Sequence, residues 1–182
     1  GIVVMGSTLF VADFGSGNVL AINVNTGVIT PLPLSFSMFG IAAAATPAGP
    51  RVYVPYGKIN LNQEYDLEVA VIDPSGPNGP AVVASVPVGS LDNNSASQPA
   101  GIAVNPAGTR VYVAVSLENA VDVIDTATNT RVGRVTVNGE VAGLADPPAV
   151  GEAEGYFAKA LALAEGLEMR PLQARVQLAL GR

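Results

Sequence analysis

The segment PAGIAVNPAGTRVYVAVSLENAVDVIDTATNTRVGRVTV, residues 99–137, decides the fold of this 182-residue chain. Four apolar runs of strand length follow one another in it, separated by residues typical of turns. The runs are Gly101–Val104, Arg110–Ala114, Ala120–Asp125 and Arg131–Val137. Between the first two runs, Pro106 fixes φ and Gly108 supplies the positive φ that a tight hairpin requires. The segment therefore predicts four consecutive antiparallel strands.

The same order of runs and turns occurs twice more upstream. The second copy comprises Gly40–Ala42, Pro47–Gly49, Arg51–Val54, Val69–Asp73 and Val82–Val88. The first copy is sparser and comprises Gly1–Val4, Leu9–Ala12, Val19–Asn23 and Val28–Thr30. A fourth copy begins at Val141–Ala145, and no second strand follows it. A repeat period of roughly 40 to 60 residues is typical of propellers and solenoids.

The third copy resembles a known family. Pro99–Val104 followed by Arg110–Val113 and Val123–Asp125 resembles the YVTN-type β-propeller repeat, and the resemblance covers about residues 1–145. Tyr112-Val113-Ala114-Val115 departs from the name-giving motif at its last two positions, as does Pro55-Tyr56 in the second copy. Relatives range from surface-layer and binding modules to lyases, so the resemblance implies a fold rather than a reaction. It also implies an extracytoplasmic location.

The repeat and the period of the tail together predict a mainly β chain, a partial β-propeller of three four-stranded antiparallel blades plus a C-terminal α-helical hairpin. The predicted propeller spans residues 1–146, with blades at about 1–34, 39–89 and 99–139 and the start of a fourth at 141–145. A linker at 147–151 separates it from the helical hairpin at 152–182.

The tail has a helical period, because Phe157, Leu161 and Ala164 fall on one face. Tyr156–Glu165 followed by Pro171–Arg175 resembles the second helix of a tetratricopeptide repeat and the first helix of the next. Repeats of that family bind peptides and proteins, but the resemblance covers only about 30 residues, so no inherited binding groove is expected. If the tail reflects the parent, the resemblance implies a cytoplasmic location. Two alternatives remain open: an amphipathic hairpin that covers an exposed blade face, or two unrelated coding segments joined together.

Composition and motifs argue against several classes of function. The net charge is −6 and the basic residues form no cluster, so nucleic acid is not an expected partner. The chain has no Cys and no His, so it lacks a disulfide, a thiolate nucleophile and histidine acid–base chemistry. No apolar run reaches the about 18 residues of a membrane-spanning helix. There is no G-x-S-x-G motif and no phosphate loop, and Gly15-Ser16-Gly17 is interpreted as a turn. We therefore assign no catalytic residue, cofactor or metal, and do not predict an enzyme.

Two sets of repeat positions have predicted structural roles. A short polar residue follows an Ile in each copy, where it can accept a hydrogen bond from a backbone N–H and set the turn to the fourth strand. These residues are Asn23, Asp73 and Asp125. An aromatic residue in the second strand is expected to pack between blades, and these residues are Phe10, Tyr53 and Tyr112.

The second copy carries two insertions. Twelve positions separate Phe10 from Ile22, whereas nineteen separate Tyr53 from Ile72, so seven residues are added between its second and third strands. Twelve positions separate Gly89 from Gly101, against four from Gly139 to Gly143, so eight residues are added after its fourth strand. Connections alternate between the two ends of a meander, so both insertions are predicted to emerge at one end. Functional residues concentrate on such loops.

These insertions define the candidate site, which is predicted to contact a protein or glycan partner. Its residues are Lys58, Asn60, Asn62, Glu64, Tyr65, Asp66, Asp92, Asn93, Asn94 and Ser95. One alternative is an ordinary tolerated insertion. Another is a calcium site from Asp92, Asn93 and Asn94 with Asp66 or Glu64, because calcium prefers oxygen ligands, although the spacing matches no calcium-loop motif. The neighbouring carboxylates Glu64, Asp66 and Glu68 are expected to be solvated.

The blade count bears on function, since a propeller ring needs about four to eight blades. Three blades leave two apolar faces uncovered, so we expect self-association through these faces or membership of a longer propeller. The function expected is that of a noncatalytic binding or scaffold module. The rival hypothesis is a fragment of a propeller enzyme of the lactonase, lyase or dehydrogenase type, with its catalytic residues in blades absent here.

Overall fold

A computed structural model of the chain describes residues 1–35, 38, 40–59, 65–89, 99–115 and 118–136. Twelve strands in this part of the chain form three separate sheets. The first sheet contains β1 (Ile2–Met5), β2 (Thr8–Asp13), β3 (Asn18–Asn23) and β4 (Ile29–Pro33). The second contains β5 (Ala42–Thr46), β6 (Gly49–Ile59), β7 (Tyr65–Asp73) and β8 (Ala81–Val88). The third contains β9 (Pro99–Val104), β10 (Arg110–Val115), β11 (Ala120–Asp125) and β12 (Thr130–Thr136).

Each sheet is an antiparallel meander in which neighbours along the chain are neighbours in the sheet. No helix occurs among the described residues. The predicted class is confirmed: the described chain is mainly β, with three four-stranded antiparallel sheets arranged as the blades of a partial propeller. We call them the first, second and third blades.

The polar residue after the third strand closes each blade as predicted. Asn23 Oδ1 accepts hydrogen bonds from the backbone N–H groups of Asn25 and Thr26, at 3.0 and 3.1 Å. Asp73 Oδ1 accepts one from Ser75 N at 2.8 Å. Asp125 Oδ1 accepts from Ala127 N and Thr128 N at 2.9 and 3.0 Å. The side chain therefore satisfies backbone donors that the tight turn leaves without strand partners.

The predicted first hairpins are also present, and one of them joins two blades. Gly49 and Gly108 adopt φ values of +98° and +68°, in the region that favours glycine. A Cβ on Gly108 would stand 1.9 Å from the carbonyl oxygen of Ala45 in β5. The first hairpin of the third blade thus lies directly against the second blade.

The blades stack in chain order. Their first strands contact one another in turn, β1 with β5 and β5 with β9, and β8 contacts β12. Phe10 is fully buried in a cluster with Val52, Val54 and Ile72, which joins the first blade to the second. Tyr53 is fully buried in a second cluster with residues of the third blade, including Val111, Val113 and Ile124. The predicted packing of Phe10 and Tyr53 between blades is confirmed, and Tyr112 is also buried.

The described residues belong to one compact unit, which spans Gly1–Val137. The predicted fourth copy, the linker and the helical hairpin lie outside the described residues, so they stay predictions. None of the described residues belongs to a helix that could span a membrane.

Candidate functional site

The hairpin of β6 and β7 is longer than its counterparts. These strands have eleven and nine residues, whereas β2, β3, β10 and β11 have six each. With Tyr53 aligned on Phe10, Tyr56 stands level with Asp13, the last residue of β2. The pairs Gly57 with Leu67, Lys58 with Asp66 and Ile59 with Tyr65 lie beyond that level. Three further residues per strand project by about 10 Å, at roughly 3.3 Å per residue.

This extension corrects one prediction. Lys58, Tyr65 and Asp66 were expected in a loop, but the structure places them in the paired strands β6 and β7. The first insertion therefore lengthens a sheet before it forms a connection. The reason is that inserted residues of β6 and β7 continue the antiparallel ladder. Backbone N–H and C=O groups of one strand are therefore satisfied by those of the other.

We call residues 57–59 and 65–67 the projecting hairpin. A polar network lies at its base. Tyr56 Oη donates a 2.5 Å hydrogen bond to Glu68 Oε2 and lies 3.1 Å from Ser85 Oγ. Lys58 Nζ donates to Glu68 Oε1 and forms an ion pair with it. Glu68 is only 9% exposed, so the expectation that it is solvated was wrong. The network links three adjacent strands, β6, β7 and β8.

The network fixes the protonation states of its members. Burial alone would raise the pKa of Glu68, but hydrogen bonds from Lys58 and Tyr56 and the charge of Lys58 outweigh it and hold this pKa below its usual value. Burial and the hydrogen bond to the Glu68 carboxylate raise the pKa of Tyr56 to about 12. At neutral pH Glu68 is therefore ionised and Tyr56 is protonated. Neither pKa lies near 7, where a general acid or base works best.

The two sides of the projecting hairpin differ. On the side of the third blade, Leu67 is buried in a cluster with Val88 and Val115. The opposite side carries Lys58 directly across from Asp66, and the Lys58 side chain is 39% exposed. The hairpin is thus anchored by apolar contact on one side and presents charged groups on the other.

A second polar cluster holds the start of the other insertion. The N–H of Gly89 donates a 2.6 Å hydrogen bond to Asp122 Oδ2, and the carbonyl of Gly89 accepts one of 2.6 Å from Arg131. Arg131 also lies 3.3 Å from Asp122 Oδ2, and Arg134 Nε lies 3.2 Å from Oδ1. Arg134 also pairs with Glu118. Asp122 is fully buried, so these cations compensate a charge that would otherwise be costly.

The structure brings only part of the predicted site together. Lys58 and Asp66 face each other, and the backbone of Tyr65 pairs with that of Ile59. The remaining predicted residues lie outside the described part of the chain; they are Asn60, Asn62, Glu64, Asp92, Asn93, Asn94 and Ser95. The calcium alternative is therefore not tested. Within the described residues, no group of three or more His, Cys, Asp or Glu side chains is placed to hold a metal ion.

Sequence reasoning missed the groups that organise this end of the blades. Tyr56 and Lys58 alternate along β6 and therefore share a face with Glu68 across the ladder. A glutamate between the apolar residues Leu67 and Val69 was the available signal. Asp122 gave a similar signal, because it occupies the repeat position of Ala70 in the second blade.

Comparison with known proteins identifies structural neighbours. No family model matches the sequence, and no curated protein matches it. Hydrazine synthase of Kuenenia stuttgartiensis has a TM-score of 0.51 and 28% identity, over 72% of this chain and 33% of that one. The major Malassezia sympodialis allergen Mala s 1 has a TM-score of 0.50 and 14% identity, over 73% of this chain and 47% of that one. The β-propeller domain of Cps50 (Swd1) from Myceliophteria thermophila aligns with a TM-score of 0.29 and 10% identity, over 71% of this chain and 52% of that one.

The described chain is a partial β-propeller. It spans a third of the hydrazine synthase chain and about half of the allergen chain.

Proposed function

We propose that this chain is part of a YVTN-type propeller that acts as a noncatalytic binding module and presents the projecting hairpin to a protein or glycan partner. One observation carries the proposal: the hairpin extends beyond the neighbouring blades, and the buried network of Tyr56, Lys58 and Glu68 supports its base.

The network is not required by the repeat itself. At the positions of Tyr56 and Glu68, the third blade has Val115 and Ala120, which pair with each other and are both buried. A buried carboxylate costs free energy unless it is paired and hydrogen-bonded. The third blade therefore closes at this level without charged groups, and we assign the charged groups of the second blade to supporting the extension above them.

The exposed side of the hairpin indicates the type of contact. Lys58 and Asp66 offer opposite charges on adjacent strands, and polar groups of this kind form the rim of binding surfaces. A surface of this kind suits a polar partner, such as a protein or a glycan.

The outer face of the first blade supports membership of a larger assembly. Val52, Val54 and Ile72 face the preceding blade and are fully buried, and Leu9, Val11 and Ile22 occupy the same repeat positions in the first blade without being buried. Ile2 and Val4 are 65% and 61% exposed. We assign this face to another blade of the same repeat, either in a longer polypeptide or in a second copy. The partial coverage of both neighbours with TM-scores of 0.50 and 0.51 supports the same assignment.

The enzyme-fragment hypothesis is the second candidate. One neighbour bears an enzyme's name and shares 28% identity with this chain over a third of its own length. Under this hypothesis, the catalytic groups lie in other blades and this chain contributes scaffold. It predicts that a longer polypeptide containing these blades has an activity that survives removal of the projecting hairpin.

A graft tests the binding proposal. In the hairpin graft, residues 56–68 are replaced by residues 115–120, the six-residue connection of the third blade. In the matched control, residues 13–18 of the first blade, which form a connection of the same length, are replaced by the same six residues. A partner obtained by affinity capture or from a glycan array is then purified and titrated against each protein by biolayer interferometry.

We expect the hairpin graft to weaken binding by at least about tenfold and the control graft to leave it within about twofold. Circular dichroism checks that both grafts keep their sheet content. Equal affinity of the hairpin graft and the parent would refute the proposal.

A further inference from the structure

The second and third blades each contain an ion pair at the same repeat position, where the first blade has no charged residues. Arg51 lies 3.3 Å from Asp73 in the second blade, and Arg110 forms a salt bridge with Asp125 in the third. Both arginines stand two residues before the aromatic residue of the second strand. At these positions the first blade has Thr8 and Asn23, which pair across β2 and β3.

The short side chains of the first blade border a cleft of about 300 Å³. Thr8, Asn23, Thr26 and Thr30 supply polar groups to it, and Val28 and Pro80 supply apolar surface. Pro80 comes from the connection between β7 and β8, so the cleft lies between the first and second blades. It lies at the end of the sheets opposite the projecting hairpin.

The cleft has unused hydrogen-bonding capacity. Asn23 Oδ1 is occupied by the turn, but its amide nitrogen donates to no described residue. The hydroxyl groups of Thr8 and Thr30 also have no hydrogen-bond partner among the described residues. Thr26 Oγ1 accepts a bond from Val28 N at 3.3 Å and keeps its own hydrogen for donation. Donors and acceptors are thus available without any charged side chain in the lining.

We propose that this cleft binds a neutral, polyhydroxylated small molecule of about one sugar ring. Its volume is at the lower end of the range for small-molecule sites, about 300 to 1,000 Å³. Hydroxyl and amide groups match the hydroxyls of a sugar, while Val28 and Pro80 match the C–H face of its ring. The absence of charge in the lining selects against phosphates and carboxylates.

The test titrates the full chain with D-glucose, D-galactose, D-mannose and N-acetyl-D-glucosamine by two-dimensional amide NMR. At least one sugar is expected to give saturable shifts at the amides of Thr8, Thr30 and their neighbours. The double variant Thr8→Arg/Asn23→Asp rebuilds the ion pair of the other blades in the cleft. Asp73 and Asp125 already cap their turns, so the variant is expected to fold and to lose sugar binding by at least about tenfold.

A second variant and a control separate binding from folding. Thr30→Val keeps the shape of the side chain but removes one hydroxyl, and it is expected to weaken binding about threefold to tenfold. Thr136→Val changes an exposed threonine of the third blade and is expected to change nothing. The inference fails if no sugar saturates at millimolar concentration, if the double variant binds as well as the parent, or if the shifts lie on the projecting hairpin. The hairpin graft is expected to keep sugar binding, so this inference and the proposed function can fail separately.

Discussion

The backbone N–H of Gly89 donates a 2.6 Å hydrogen bond to the fully buried carboxylate of Asp122, and this bond joins the second blade to the third. Gly89 directly follows β8, where the second insertion starts, and Asp122 lies in the middle of β11. The carboxylate also neutralises part of the charge of Arg131 and Arg134. The Asp122 side chain thus fixes the start of the second insertion, compensates two arginines and joins the second blade to the third.

Asp122→Ala is expected to destabilise the chain strongly. It leaves the N–H of Gly89 and two arginines without their shared acceptor. Breaking a buried ion pair costs about 3 to 5 kcal/mol, and we expect about 2 to 4 kcal/mol because the arginine side chains are 35% and 29% exposed. Urea unfolding followed by circular dichroism measures this loss of unfolding free energy. A loss of less than about 0.5 kcal/mol would contradict the assigned role, since that is the range of ordinary surface changes.

Glu68→Gln is expected to show the contribution of the ionised carboxylate through its pH dependence. The pKa of Glu68 in the folded chain is below its ordinary value of 4.5, so its stabilising contribution is complete above that value. It is lost as pH falls through the folded pKa. The parent should therefore be more stable than the variant at pH 7, and the difference should shrink below about pH 4. Unfolding curves at both pH values check this, and a difference independent of pH would contradict it.

Gly108→Ala and Gly6→Ala form a matched pair of substitutions at positive φ. The φ values are +68° and +60°, so both alanines carry the backbone cost of about 1 to 2 kcal/mol. At Gly6 nothing lies within 4 Å of the added Cβ among the described residues, but at Gly108 it meets the carbonyl of Ala45. Overpacking adds about 1 to 3 kcal/mol, so Gly108→Ala should be the more destabilising of the two in denaturant unfolding. Equal losses of stability would show that the first hairpin of the third blade does not pack tightly against the second blade.

The outer face of the first blade is expected to drive self-association. Size-exclusion chromatography with light scattering should show the parent chain as larger than a monomer. Ile2→Glu/Val4→Glu should shift it toward the monomer with little loss of stability, because both side chains are mostly exposed. Val132→Glu changes an exposed apolar residue of the third blade and serves as the control. A parent that elutes as a monomer would contradict the prediction.

The candidate site was predictable only in outline. The repeat comparison located both insertions in the second blade, because counting between Tyr53 and Ile72 requires no coordinates. It did not show that the first insertion continues β6 and β7, since polar residues such as Lys58 and Asp66 fit a loop and a strand equally well. It also missed Glu68, whose burial depends on Tyr56 and Ser85, twelve and seventeen positions away.

The amino-acid sequence by itself determined the three meanders, their hairpins and the capped turns after Asn23, Asp73 and Asp125. These features arise from residues close together in the chain, such as a side-chain oxygen two or three positions from the N–H that it accepts. The tertiary structure alone decided the bond between Gly89 and Asp122, 33 positions apart, and the cleft beside Thr8 and Pro80. Such contacts form only when separate blades stack, and the face that each strand turns to its neighbour then determines which side chains meet.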